Sequence, residues 1–424
     1  MSSDQAAVTG HRFSSVVPGD VTGSAVVHEL GGMDLIMKLH YLRAVYYFAP
    51  SEVVDGLAIT DLKKPMFPWL NVYYPLAGRI RRAAEGGRPF IKCNDSGLRI
   101  VEASCSRTMD EWLHVEEGGE SRWRSLVPDK VLGPELYFSP LVYIQFTRFK
   151  HGGMAIGYSW AHVLGDPESA TNSINLWGEL LSGNPQTVIA QKNEENTEEP
   201  VIAPQGPAPA LVPAPAPIKQ VEIAEDVWLP PTHRKMATHC FRITETELQK
   251  LHGEQVPPFE TISALFWRCL ARIRSRREPE LATICRSGTP AKNNEILHNK
   301  FRTSTIKLDS SAASVELLGL ATKILKQDMD EALVDRDNST GEQDFLLYGA
   351  NLTFVDMGGI DLYGLELKGQ RPVRVDYSVD GVGEEGAILV LQAPQRTDLS
   401  VMVILPEDEI PSLCRVLSSD FGIA

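Results

Sequence analysis

The chain has 424 residues, 43% of them apolar, and a formal net charge of -14. That length and apolar content allow sizeable buried cores and more than one domain, while the acidic balance excludes nucleic-acid binding as its main business, because phosphate recognition relies on clustered Lys and Arg. Six cysteines (Cys93, Cys105, Cys240, Cys269, Cys285, Cys414) stand without CxxC or metal-like spacing, so neither a disulfide framework nor a metal site is indicated and a reducing compartment fits.

The opening "MSSDQAAVTGHRFSSV" lacks the apolar stretch of a signal peptide, and no uninterrupted apolar run reaches bilayer-spanning length. A soluble or peripherally attached protein is expected, with no transmembrane segment. Pro65 and Pro68 interrupt a helical run ahead of "YYPLAGRIR", where a buried helix tolerates neither well. "PLVYIQFTRF" (Pro140 to Phe149) and "GMAIGYSW" (Gly153 to Trp160) read as strands. "GDPESATNSINLWGELLSG" then places Ala170, Ile174, Trp177 and Leu181 on one helical face. Asp166 suits the N-cap of that helix, Pro167 its first position and Gly183 its stop.

From Gly183 to Gln220 the composition turns polar and acidic and ends in a Pro/Ala tract. Such a segment buries too little apolar surface to order itself, so residues 183–225 read as a linker between a domain 1–182 and a domain 226–424. In the second half "TETELQKL" and "FETISALFWRCLARIRSR" read as helices, and "GAILVLQAP" and "DLSVMVILP" as strands, the last covered on at least one face. An α/β fold of two mixed halves is expected.

The junction "GYSWAHVLGD" sets His162 four residues ahead of Asp166. A histidine there can take a proton from a hydroxyl or amine attacking an acyl group, since its pKa lies near neutrality. A buried, hydrogen-bonded histidine beside a helix-capping aspartate accounts for the same spacing. Arg268, Arg272 and Arg276 recur at every fourth position, on one face of a helix; they suit either coenzyme A phosphates or a solvated surface.

Nearly end to end, the sequence resembles the plant BAHD acyl-CoA-dependent acyltransferases. The resemblance is carried by "VVPGDVTGSAVVHELGGMDLIMKLHYLRAVYYF", "YYPLAGRIR", "KCNDSGLRIVEA", "TISALFWRCLARIR" and HxxxD in its expected place. It implies two domains like chloramphenicol acetyltransferase, with mixed sheets flanked by helices and a channel between them. It also implies His162 as general base and Asp166 as structural support. The family's second hallmark, DFGWG, is absent: the corresponding stretch is "ELKGQRP", Glu366 to Pro372, and "SDFGIA" at the chain's end is a chance match. The stretch "CRSGTPAKNNEILHNKFRTS" lacks the family's Arg-rich, Gly-Asn loop, which weakens the usual acyl-CoA contacts.

An intact HxxxD without DFGWG, together with "SWAHVLGD" and "YGANLTFV", looks like the eceriferum-two-like and glossy-two-like branch. That branch implies a part in cuticular wax synthesis: an accessory partner of a ketoacyl-CoA synthase in very-long-chain fatty acid elongation, peripheral on the cytosolic side of the endoplasmic reticulum or cytoplasmic. It implies no cofactor of its own, with long-chain acyl-CoA as ligand or substrate. The alternative is an active acyl-CoA-dependent acyltransferase using His162.

Overall fold

The computed structural model describes residues 7–83, 87–114, 123–183, 217–224, 227–230, 233–251, 256–288, 296–326, 343–394 and 397–423. Among the described residues, seventeen strands follow in chain order: β1 (Val8–Val16), β2 (Val27–Glu29), β3 (Tyr41–Phe48), β4 (Arg79–Arg82), β5 (Pro89–Lys92), β6 (Leu98–Cys105), β7 (Val142–Arg148), β8 (Met154–Ala161), β9 (Lys219–Val221), β10 (Met236–Ile243), β11 (Leu281–Ser287), β12 (Phe301–Lys307), β13 (Asp344–Leu346), β14 (Leu352–Asp356), β15 (Arg374–Asp380), β16 (Ala387–Gln392) and β17 (Leu399–Pro406).

They build two six-stranded mixed sheets, ordered β1-β6-β7-β8-β3-β15 and β10-β17-β16-β14-β11-β12, plus small sheets β13-β9 and β2-β5-β4. The sheets are the α/β bodies expected from the alternation of strand and helix patterns. Strands β3 and β8 are buried along their whole length, as continuous apolar runs require when both faces are covered. The same holds for β17 from Val401 to Pro406.

Helix Pro167–Ser182 forms as its sequence predicts: the Asp166 side chain accepts the Ser169 N–H, Pro167 fills the first turn, and Gly183 closes the helix at φ 78°. A left-handed stop of this kind suits glycine. Its buried stripe includes Ala170, Ile174, Trp177 and Leu181. Pro65 and Pro68 do not disrupt a helix. Pro65 caps helix Met66–Val72 and Pro68 lies in its first turn, where the missing N–H would have had no intrahelical partner.

Strand pairing crosses the linear division into 1–182, linker and 226–424. Strand β15, from the second half, pairs antiparallel with β3 at the edge of the first sheet. The segment read as linker also contributes: residues 184–216 lie outside the described residues, but Lys219–Val221 pairs with β13. Just beyond, Trp228 is fully buried in the core that contains β3 and β8, and its carbonyl accepts the Tyr41 hydroxyl at 2.7 Å. The physical reason is that β3 leaves a full row of backbone groups at the sheet edge, and a strand from elsewhere in the chain satisfies them.

Candidate active site at His162

Strand β8 delivers the site. After Ala161 the chain makes one tight 3₁₀ turn, His162–Leu164, before the helix capped by Asp166. The backbone of His162 is held from two sides: its N–H donates to the His40 carbonyl at 3.0 Å, and its own carbonyl accepts the Asn299 side-chain amide at 2.9 Å. The same amide nitrogen donates to Asp34 at 2.8 Å, so Asn299 ties together three segments far apart in sequence.

The His162 ring is wholly enclosed, with 0% exposure. Its Nε2 lies 3.1 Å from the Tyr348 hydroxyl, and the rings of His40 and Tyr348 stand edge to face at 4.9 Å. Burial pushes His162 down to about 4. Burial, and secondarily the neighbouring His162, pushes His40 down to about 3. Both imidazoles are therefore neutral at neutral pH. Two residues before His40, Lys38 forms an ion pair with Asp344, both almost wholly buried. Asp34 is buried enough for desolvation to raise its carboxyl, although Asn299 and the Gly31 N–H oppose the rise.

Asp166 is fully occupied. One carboxylate oxygen accepts the Ser169 N–H at 2.9 Å; the other accepts the Lys300 N–H at 3.1 Å and meets His298 Nδ1 at 3.2 Å. Burial works to raise this carboxyl, but the His298 hydrogen bond and charge outweigh it and hold the group below its ordinary value. Reciprocally, burial works to lower His298, and Asp166 overrides it and raises the ring. The arrangement gives Asp166 the work of a brace that locks the turn to the segment 298–300.

The stretch around "LHNK" thus supplies contacts that sequence reasoning missed. It was read for the loop it lacked, yet His298, Asn299 and Lys300 meet both members of HxxxD. The available signal was a polar trio placed directly before the alternating strand β12, since polar residues in such positions are buried only with partners. Arg268, Arg272 and Arg276 are not brought to this site. Helix Pro258–Ile273 ends before Arg276, so the three do not form one helical stripe; Arg272 pairs with Asp420 on helix Ile410–Phe421. Arg274, at the C-cap of helix Pro258–Ile273, pairs with Glu409 at 2.7 Å. The substitute for DFGWG, "ELKGQRP", is a tight turn in which Leu367 and Gln370 exchange backbone hydrogen bonds, with Lys368 and Gly369 at φ 50° and 85°. "SDFGIA" is the end of a helix closed by Gly422 at φ 70°.

A family model described as the Transferase family matches residues 6–414. The chain belongs to the Transferase family. Within this BAHD-type family it is 37% identical over 413 residues to Protein ECERIFERUM 26-like of Arabidopsis thaliana, covering 95% of this chain and 93% of that one. It is 34% identical to Protein ECERIFERUM 2 of the same plant, covering 96% and 97%. Its fold matches the crystal structure of vinorine synthase with a TM-score of 0.69 at 16% identity, over 97% of this chain and 98% of that one.

Proposed function

We propose that this transferase-family chain serves cuticular wax synthesis as an accessory protein of very-long-chain fatty acid elongation, setting the chain-length range of a ketoacyl-CoA synthase without acyl transfer of its own. The wax assignment is supported by the ECERIFERUM relatives, which match nearly the whole chain. The non-catalytic reading is supported by one observation above others: the candidate base is enclosed, and its Nε2 faces the Tyr348 hydroxyl where an acceptor's proton would have to arrive. A general base works best with a pKa near the operating pH, and burial holds His162 well below that. Among the described residues no helix is long and apolar enough to cross a membrane. Association with the elongase is proposed at the cytosolic face of the endoplasmic reticulum.

The second reading, an acyl-CoA-dependent acyltransferase with His162 as base, draws support from the bracing of Asp166, which holds the HxxxD turn in a single geometry. Co-expression with a condensing enzyme, in a host that makes no very long products, separates the two. His162→Ala, folded and equally abundant, is expected to restore elongation as fully as the natural chain. A correctly used base typically contributes about 10²- to 10⁴-fold in rate, so failure of this variant to restore elongation would overturn the accessory reading.

A further inference from the structure

Apart from the His162 site, and sharing no lining residue with it, a cavity of about 430 Å3 lies against β1, β6 and β7 of the first sheet. Strand register builds its floor: Phe13 pairs with Val101 and Val101 with Gln145, while Arg99 pairs with Tyr143 in the adjacent row. Its other wall is the segment from Arg124 to Lys130. That wall is preformed, because the fully buried Arg43 donates to the carbonyls of Pro128 and Lys130, each at 2.8 Å.

The chemistry of the lining is two-sided. Phe13, 65% exposed at the rim, and the half-buried Tyr143 and Pro128 offer apolar surface, while Val101 and Val127 lie buried beneath it. Arg99, Arg124 and Lys130 line the same space with Asp129 as the one carboxylate among the lining residues. The nearby Asp380 is already divided between Arg43 and Arg124, at 2.8 Å to each. Arg79, close enough to Arg99 to feel its charge, is 5% exposed and donates to the carbonyls of Gly78 and Ser96; burial, with Arg99 second, pushes it down to about 10. In a chain with a formal net charge of -14, a concentration of guanidinium groups beside an apolar floor is an electrostatic exception. Cations gathered against their mutual repulsion are relieved by an anion.

We propose that this cavity binds a phosphate-bearing amphiphile, its anionic group held by Arg99 and Lys130 and its apolar part laid along Phe13, Tyr143 and Pro128. The volume lies within the usual range for small-molecule sites, about 300–1,000 Å3. Two sources share this chemistry, a soluble phosphate ester and a lipid headgroup in a bilayer.

Calorimetric titration of the full chain with octyl phosphate tests the site. Inorganic phosphate and octanol are the single-feature controls, and Arg99→Glu and Lys130→Glu the variants. Lys130 is exposed on its loop, so its replacement reads out binding even where Arg99→Glu fails to fold. Saturable one-site binding is expected, at least tenfold tighter than for either control and weakened at least fivefold by Lys130→Glu. Co-sedimentation with phosphatidic-acid vesicles, lost in Lys130→Glu, assigns the ligand to a bilayer; its absence alongside octyl phosphate binding assigns a soluble ester. No saturable binding to either probe, or binding indifferent to Lys130→Glu, overturns the proposal.

Discussion

Lowering the pH from 6.5 to 5 tests the enclosure of His40 and His162. In the unfolded chain both rings titrate near 6.5. In the folded chain burial holds them at about 3 and about 4. Throughout the interval the unfolded state binds more protons, so stability present above pH 6.5 is lost progressively as pH falls toward the folded values. Because the unfolded ring is only half protonated at pH 6.5, integrating over the interval gives about 1.6 kcal/mol per histidine, or about 3 kcal/mol for the pair. His298 leaves this interval flat: its folded pKa is raised, so its contribution is complete below 6.5 and is lost only as pH rises through the folded value. Asp166 is held low, and its contribution is lost only below the ordinary carboxylate range. Urea unfolding at half-unit pH steps and constant ionic strength measures the slope. His162→Gln is expected to reduce it. An unfolding free energy that stays level between pH 6.5 and 5, or a slope unchanged in His162→Gln, would refute the claim that burial keeps these rings neutral.

Further outcomes follow from the same packing. Lys38→Met strands the buried Asp344 charge and is expected to cost about 3–5 kcal/mol; Lys38→Met/Asp344→Asn, which removes that charge and keeps an acceptor for the Ala224 N–H, should recover most of it in urea melts. Gly157→Ala would set a Cβ 2.0 Å from the Leu126 carbonyl oxygen, so a loss of about 3 kcal/mol or failure to accumulate folded protein is expected, checked by thermal melting. Asn299→Ala removes the donor shared by His162 and Asp34 and should cost about 1–3 kcal/mol in the same measurement.

Local patterns made much of this molecule legible in advance. The helix 167–182 declared its cap, its stop and its buried stripe, because those depend on neighbours in sequence. The β7–β8 pair and β17 declared themselves by apolar runs. Whatever depends on distant pairing was hidden. Nothing local to Arg374–Asp380 says that it closes the first sheet, and Trp228 gave no sign that it belongs to that sheet's core. At the site, HxxxD was visible because five consecutive residues hold it. Tyr348 and Asn299, 186 and 137 residues away from His162, arrive there only by folding. The four-residue spacing of Arg268, Arg272 and Arg276 likewise could not show where the helix stops, since it closes at Ile273 with Arg274 as its C-cap.

The crossing of β15 into the first sheet has a practical consequence for anyone dividing this protein. A fragment ending near residue 182 would expose the backbone edge of Tyr41–Phe48, a strand rich in tyrosine, valine and phenylalanine and thus a template for self-association. The complementary fragment would carry Arg374–Asp380 with no sheet to join. Each half holds the piece the other needs, so the two bodies are expected to be made, purified and unfolded as one cooperative unit.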